Sequence, residues 1–382
     1  MISLIPFLVF AIILSFLVFI HELGHFLTAK KFKIGVPEFG MGIPPRIWGK
    51  KFGETLYSIN WLPFGGFVRI KGEDYEDYDP KDKTNFINKK PWQKSVVLLA
   101  GIFMNLMVAF VIFYFTLGIN DFKSSPILLL DNYKFPFAKT VELPNVVTFI
   151  KDDSPASNAG IQFADRITKL EYNGEVVEPK TIDDIHNFLK DKEGKEITVY
   201  TKNINTDETA VYKVTPTYNE ELGMVVLGIG LGDAVQLAYQ TPAEKVLAGP
   251  LHSANIMGYS FHALGQLVKQ SVQEKDVSAV ASGVAGPIGI FGAVKSIMDN
   301  GGSKTWLVLL DLTALLSLSL AIMNLLPIPA LDGGREVFVL YEWITKKRPS
   351  PKLEERMHQI GFIFLIGLLL IITFKDIIFM WF

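Results

Sequence analysis

The stretch FIHELGHFLT, residues 19–28, sets His21, Glu22 and His25 at the end of a run that otherwise holds only apolar residues and serine. Leaving three ionisable side chains at the edge of a hydrocarbon layer carries a desolvation cost that something must offset by binding them. The spacing is H-E-x-x-H. Four residues is one turn of a helix, so both imidazoles fall on one face and can converge on a cation, while Glu22 reaches a water beside it. Zinc suits neutral imidazole nitrogen, and a catalytic site keeps three protein ligands and an open position. The alternative is a pair of interfacial histidines at the inner end of a helix, with Glu22 offset by Lys30 or Lys31.

The surrounding run is the first of four candidate spans. Ile2 to Ile20 holds 19 uncharged residues, 26 more lie between Lys94 and Asp121, 20 between Asp311 and Asp332, and 16 from Gln359 to Phe374. About 20 residues match the hydrocarbon core. The fourth therefore needs the tail Ile377 to Phe382, with Lys375 and Asp376 near the interface. The first run lacks a basic n-region and a small-residue cleavage site, so it reads as a retained helix.

Thirteen Lys and Arg lie between Lys30 and Lys94, and Lys346, Lys347, Arg348, Lys352 and Arg356 cluster before the fourth span. The positive-inside rule makes both stretches cytoplasmic and sends the segment from about 121 to 304 outside. The balance of 37 basic and 39 acidic residues lacks the basic excess of a nucleic-acid partner. Cysteine is absent, so any metal must be held by His, Asp or Glu.

Between the first two spans, residues 54–73 alternate apolar and polar side chains around Pro63 and Gly65-Gly66 and read as a β-hairpin. Its Trp61, Leu62, Phe64 and Phe67 either dip into the bilayer surface or form one face of a small soluble hairpin. Residues 73–85 read as a mobile polar linker. Residues 141–217 read as a compact α/β module, with VVTFI and EITVY as strands and IDDIHNFLK as a helix. Residues 241–272 read as one long amphipathic helix with Thr241 as N-cap and Pro242 at its first position, too polar to span.

The third span ends in NLLPIPALDGGR, residues 324–335. Pro327 and Pro329 force the chain to unwind, and freed backbone groups survive at membrane depth only inside protein or beside water. Asp332, followed by the flexible Gly333-Gly334 pair, is then either an ordinary interfacial carboxylate or the third metal ligand. A second helix carrying H-E-x-x-H favours the ligand.

With these motifs in one order the chain resembles the site-2 proteases, intramembrane zinc metalloproteases of regulated intramembrane proteolysis, and most closely the bacterial regulator-of-sigma-E type with a single PDZ domain. The resemblance rests on HELGH, on FGMGIPPRIWGKKFGETLYSINWLPFGGFVRIKGE, on NLLPIPALDGGR, on SPASNAGIQFADRITKLEYNG and on GPIGI at 286–290. It implies a polytopic α-helical membrane protein with four transmembrane helices, a membrane-associated β-hairpin or sheet and an inserted extracytoplasmic α/β PDZ domain.

The parts would be an N-terminal membrane part, 1–120, with spans at 2–26 and 95–118 around a cytoplasmic β region at 36–72. A PDZ domain at 141–217, an amphipathic helix and linker at 241–304, and a C-terminal membrane part at 305–382 would follow. It further implies that His21, His25 and Asp332 bind Zn2+ and that Glu22 is the general base and later the acid. Asn324 would bond the substrate backbone, Asn105 would sit near the active site, and Gly65, Gly66, Phe67 and Lys71 would pair with an extended substrate strand. Substrates would be single-pass membrane proteins, such as anti-sigma-factor-like regulators, or remnant signal peptides. The PDZ domain would take short hydrophobic C-termini or screen by size, in a bacterial inner membrane. The chain departs from the family at Ala164-Asp165, where Gly-Asp is common, and at Gly101-Ile102, where Gly-Pro is. A non-proteolytic PDZ scaffold with a structural metal is the competing reading; a zinc or proton transporter would need acids and histidines across the bilayer that spans two to four lack.

Overall fold

The computed structural model describes residues 4–73, 79, 81–131, 133–276, 281, 283–300 and 302–381. In chain order its elements are α1 (Leu4–Lys31), β1 (Glu38–Phe52), β2 (Thr55–Arg69), α2 (Pro91–Ile119), β3 (Ile127–Leu128), β4 (Lys139–Ile150), α3 (Pro155–Ala159), β5 (Asp165–Tyr172), β6 (Glu175–Val177) and α4 (Ile182–Leu189). They continue with β7 (Ile197–Asn203), β8 (Thr209–Val214), β9 (Thr217–Asn219), β10 (Met224–Val226), β11 (Ile229–Ala238), α5 (Pro242–Val246), α6 (Ala248–Glu274), α7 (Pro287–Asn300), α8 (Thr305–Leu325), α9 (Asp332–Thr345) and α10 (Pro351–Trp381). Among the described residues four helices, α1, α2, α8 and α10, are long and apolar enough to cross a membrane. Residues 2, 3 and 382 of the expected spans, and 74–78 and 80 of the expected linker, lie outside the described residues.

The chain divides into two compact units, of which the first comprises residues 1–113, 264–299 and 309–382. Its β1 and β2 do not form the expected hairpin around Gly65-Gly66. The tight turn falls at Gly53, which adopts φ +61, and β1 and β2 pair from Phe52↔Thr55 outward. The segment after Leu62 instead carries β2 round to the other side of the sheet. Glu38–Met41 then has Leu56–Ile59 on one side and Gly66–Arg69 on the other, so Gly66–Arg69 is an outer edge. Its close fit depends on small residues, because a Cβ on Gly40 would lie 2.5 Å from the Phe67 ring. Beneath it Ala29, Val36, Ile70, Phe86, Val97 and Val339 form one apolar core joining α1, α2, β2's end and α9.

The expected mobile linker is ordered where described. Lys71 donates to Asp82 at 2.6 Å, and the same carboxylate accepts from the Thr84 N–H and hydroxyl. The Lys71 ammonium holds Asp82 well below the usual carboxylate range. At the other end of the unit, α10 is a single helix through Lys375 and Asp376. Asp376 is buried and accepts from the N–H groups of Gly286 and Gly289 at 2.9 and 2.8 Å, capping the start of α7 from another helix. Lys375 pairs with it at 2.7 Å. The GPIGI segment therefore meets α10 through exposed backbone, and Gly286 sits so close to Ile372 and Asp376 that a Cβ would fall 2.8 and 2.9 Å from them.

The second unit comprises residues 114–263 and 300–308. Its sheet runs β3-β11-β4-β5-β7-β8, with β6 on β5. Strand β11, beyond the expected end of the module at 217, pairs with β4 from Ala238↔Lys139 to Ile229↔Ile150. Residues 141–217 thus lack a central strand, which the sequence placed outside because a loop and the β9/β10 hairpin intervene. The core is Val147, Ile167, Leu170, Ile185, Phe188, Val199 and Leu227 among others. Thr181 caps α4 in a capping box with Asp184. The expected single helix from Thr241 is two: Thr241 caps α5 as anticipated, but the chain breaks at Leu247 and resumes as α6. Pro250 supplies the reason, since it cannot donate to the carbonyl four residues back and crowds it. In α6, His252 is buried against the Tyr239 hydroxyl at 3.0 Å, and burial pushes its imidazole down to about 3, so it stays neutral.

Ala164 adopts φ +68 in the core of this unit, its N–H bonded to Val147 O and its carbonyl to Ile204 N. A Cβ there costs about 1 kcal/mol or more relative to glycine. Replacement Ala164→Gly is expected to raise the stability of the unit by about 1 kcal/mol, read by denaturant unfolding; an unchanged or lower midpoint would show the strain is not stored there.

Candidate metal centre

Helix α1 presents His21 and His25 one turn apart, ring centroids 4.7 Å from each other, and both are buried. The third donor comes from far along the chain. Helix α8 stops at Leu325, residues 326–331 are not helical, and α9 starts at Asp332 with Leu331 as its N-cap. This puts Asp332 Oδ2 3.0 Å from His21 Nε2 and 3.4 Å from His25 Nε2, with the two Nε2 atoms 3.1 Å apart. Two ligands about 2.05 Å from a tetrahedral zinc lie roughly 3.3 Å apart, so the three donors are spaced as such an ion would space them. Asp332 Oδ2 is buried and, although within reach of both imidazoles, lacks a directed hydrogen bond. The spacing of the three atoms, with an Asp332 oxygen buried and unsatisfied among them, fits zinc. Among the described residues this is the one group of three or more His, Asp or Glu donors able to hold a metal.

The far side of each ring is also arranged. His25 Nδ1 lies 2.8 Å from Val97 O and donates to it, which leaves Nε2 a lone pair. Asn105, fully buried, stands 3.4 Å from His21 Nδ1 by its Nδ2, while its Oδ1 has no partner. The two ends of an amide are alike in shape; turned over, Oδ1 accepts the Nδ1 proton of His21 and frees Nε2 in the same way. Ser317 fixes Asn105 by donating to its carbonyl at 2.8 Å.

Two glycines let α2 come this close. A Cβ on Gly24 would lie 2.4 Å from Ala100 O, and one on Gly101 would lie 2.4 Å from His25 Nε2 and 2.7 Å from His21 Cε1. Gly101 and Asn105 are the two ends of the G-x-x-x-N pattern in GIFMN, so the spacing held a legible signal. Gly24 and the Val97 carbonyl carried none, because a backbone contact leaves no residue preference at Val97.

Gly333 and Gly334 are not the flexible pair expected. They lie in the first turn of α9, buried, where a Cβ would fall 2.4 Å from Leu325 O and 2.2 Å from Ile328 O respectively. Their role is close approach. Helix α9 is further held by Lys94 to Glu342 at 2.7 Å and by an ion pair between Arg335 and Glu73.

Glu22 lies beside the three donors, and its Oε2 accepts from the Val68 N–H at 3.0 Å. The outer edge Gly66–Arg69 therefore faces the carboxylate. Gly66 is close enough that a Cβ would be 3.8 Å from Glu22 Cγ, while Gly65 adopts φ +81. Phe67 packs over Gly40. Lys71 does not belong to this edge: its N–H is bonded to Gly35 O and its carbonyl to Phe86 N, so its backbone has nothing left to offer a strand. Asn324 is half-buried in the last turn of α8, its side chain without a hydrogen bond among the described residues.

The sequence profile described as Peptidase family M50 matches residues 9–368. The chain belongs to peptidase family M50. This is the site-2 protease family that its motifs resemble. Among the relatives of this M50 peptidase, a protein of Clostridium perfringens described as a putative zinc metalloprotease is 32% identical over 98% of this chain and 99% of its own. Similarly described proteins of Fusobacterium nucleatum and Campylobacter jejuni are 30% and 28% identical, over 97% and 98% of this chain and 98% and 93% of their own. A solved PDZ domain of an SdrC-like protein from Listeria monocytogenes matches 23% of this chain and 87% of its own at 22% identity, with a TM-score of 0.20.

The M50 peptidase should not tolerate a side chain at residue 101. Gly101→Ala is expected to weaken zinc binding by at least about tenfold in chelator competition, whereas Gly118→Ala, with nothing within 4 Å of its Cβ, should match wild type. Equal affinities for the two variants would refute the packing argument.

Proposed function

We propose that this chain is an intramembrane zinc endopeptidase that cuts transmembrane segments of single-pass membrane proteins or remnant signal peptides. The observation that carries the reading is the meeting of His21, His25 and Asp332 at 3.0 to 3.4 Å on helices apolar enough to span a bilayer. Three donors among the described residues, rather than the four of a structural site, match a catalytic one.

The basic stretches after α1 and before α10 support an orientation with the metal centre towards the cytoplasmic side of a bacterial inner membrane and the α/β module outside. A helical peptide bond is shielded by its own hydrogen bonds, so the substrate must be extended before it can be cut. The outer edge Gly66–Arg69 offers strand pairing beside Glu22, replacing the hydrogen bonds lost on unwinding and orienting the scissile carbonyl. Val68 N–H marks the point where that edge meets the carboxylate. Asn324, with an amide to spare, holds the substrate backbone from the α8 side. His21, His25 and Asp332 would hold the zinc, which when bound would supply a Lewis acid to polarise the carbonyl and acidify the attacking water. The Glu22 carboxylate takes the water proton and returns it to the leaving amine.

Glu22→Gln is expected to keep stoichiometric zinc and lose at least about a hundredfold of the cleavage rate on a co-expressed model substrate. Cleavage at the wild-type rate would sink the assignment.

The α/β module acts as a PDZ-type gate that takes short hydrophobic C-termini or excludes substrates with a bulky outer domain. Because β4 and β11 close one sheet, the deletion that tests this spans 139–238 rather than 141–217. The truncated protein is expected to cut untrimmed substrates that wild type spares. Unchanged discrimination between trimmed and untrimmed substrates would remove the gate from the account.

A further inference from the structure

We infer that His358 and Gly361 of α10 form a cradle for the turn Ile328–Leu331, and through that turn aim the Asp332 carboxylate at the two imidazoles. The inference rests on the zinc site proposed above and assigns the fourth apolar helix a positioning role in it.

The turn needs such a support. Ala330, two residues before Asp332, adopts φ +78, a conformation that costs a residue with a Cβ about 1–2 kcal/mol and persists only when its surroundings impose it. Within the turn, Leu331 N–H bonds to Ile328 O at 3.1 Å and Ile328 N–H to Leu326 O at 2.7 Å. The Ala330 N–H is satisfied from outside: it donates to His358 Nδ1 at 3.0 Å. To accept, that imidazole must be neutral with its proton on Nε2. Phe338 of α9 stacks obliquely against the same ring, centroids 6.0 Å apart, and fixes its plane.

A second contact, independent of the first, falls one turn further along α10 on the same face. A Cβ on Gly361 would lie 2.1 Å from Pro329 O, 2.5 Å from Pro329 C and 2.6 Å from Pro329 Cβ. The helix thus presses its bare backbone on Pro329 while His358 holds the next residue. Gly367, farther along α10, has nothing within 4 Å of its Cβ position, so close approach is confined to the turn. A membrane anchor alone has no use for either feature. With Gly333 and Gly334 packed on the carbonyls of Leu325, Leu326 and Ile328 from the other side, the turn is gripped between α10 and the start of α9.

The test is zinc affinity, measured by chelator competition on the full-length protein in detergent, with thermal unfolding of the metal-free form recorded alongside. His358→Leu and Gly361→Ala should each raise the zinc dissociation constant roughly 10–100-fold. His358→Asn, whose Oδ1 can accept the same N–H, should stay close to wild type, as should Gly367→Ala. Wild-type affinity in Gly361→Ala, or equal affinities for His358→Asn and His358→Leu, would overturn the cradle while leaving the metal site intact. Should His358→Leu fail to fold, the comparison of His358→Asn and Gly361→Ala with Gly367→Ala still decides. A wild-type protein that binds no zinc would overturn the metal reading itself, and the cradle with it.

Discussion

The structure turns on the approach of one carboxylate to two imidazoles at the edge of an apolar helix. His21 and His25 are neighbours by helical geometry, but Asp332 reaches them from more than three hundred residues away, and burying it beside them is unfavourable unless its charge is answered. The contacts around α1, α2 and the start of α9 hold that oxygen within 3.0 to 3.4 Å of the two rings.

Close backbone approach is the means. Gly24 and Gly101 let α2 lie against α1, so that Val97 O and Asn105 stand behind the two rings. Gly333 and Gly334 let the start of α9 fold onto the end of α8. Lipid tails are as apolar as leucine, so helices in a bilayer gain by packing and hydrogen bonding rather than by burial, and small residues at these contacts follow from that. The ion pairs of Lys94 with Glu342 and Arg335 with Glu73 then tie α9 to α2 and to the segment after β2.

The β region serves the same centre in a different way. Its outer run ends the sheet against α1 rather than against solvent, and the exposed edge that would otherwise invite any strand is directed at Glu22. Through its Val68 N–H that edge donates to Glu22, the carboxylate beside the three donors. The α/β module is built by other rules: alternating strands, a capping box at Thr181 and a conventional apolar core. That is why its strands and helix were recognisable from local pattern.

Sequence alone determined the local, periodic features: four apolar helices, the H-E-x-x-H face, the N-cap at Thr241, the break at Pro327 and Pro329, and Asp332 as the candidate third ligand. Each depends on residues within a turn or two of one another, where sterics and hydrogen bonding act through fixed spacing. Only the tertiary structure decided that Lys71 is consumed by Gly35, Phe86 and Asp82, that β11 completes the sheet past residue 217, that Gly333-Gly334 serves packing, that Val68 and Val97 meet Glu22 and His25, and that His358 and Gly361 meet the turn before Asp332. Those roles are carried by backbone atoms, by the absence of a side chain at a distant contact or, for Lys71 and His358, by side chains whose partners lie on other segments, and none of these leaves a local pattern to read.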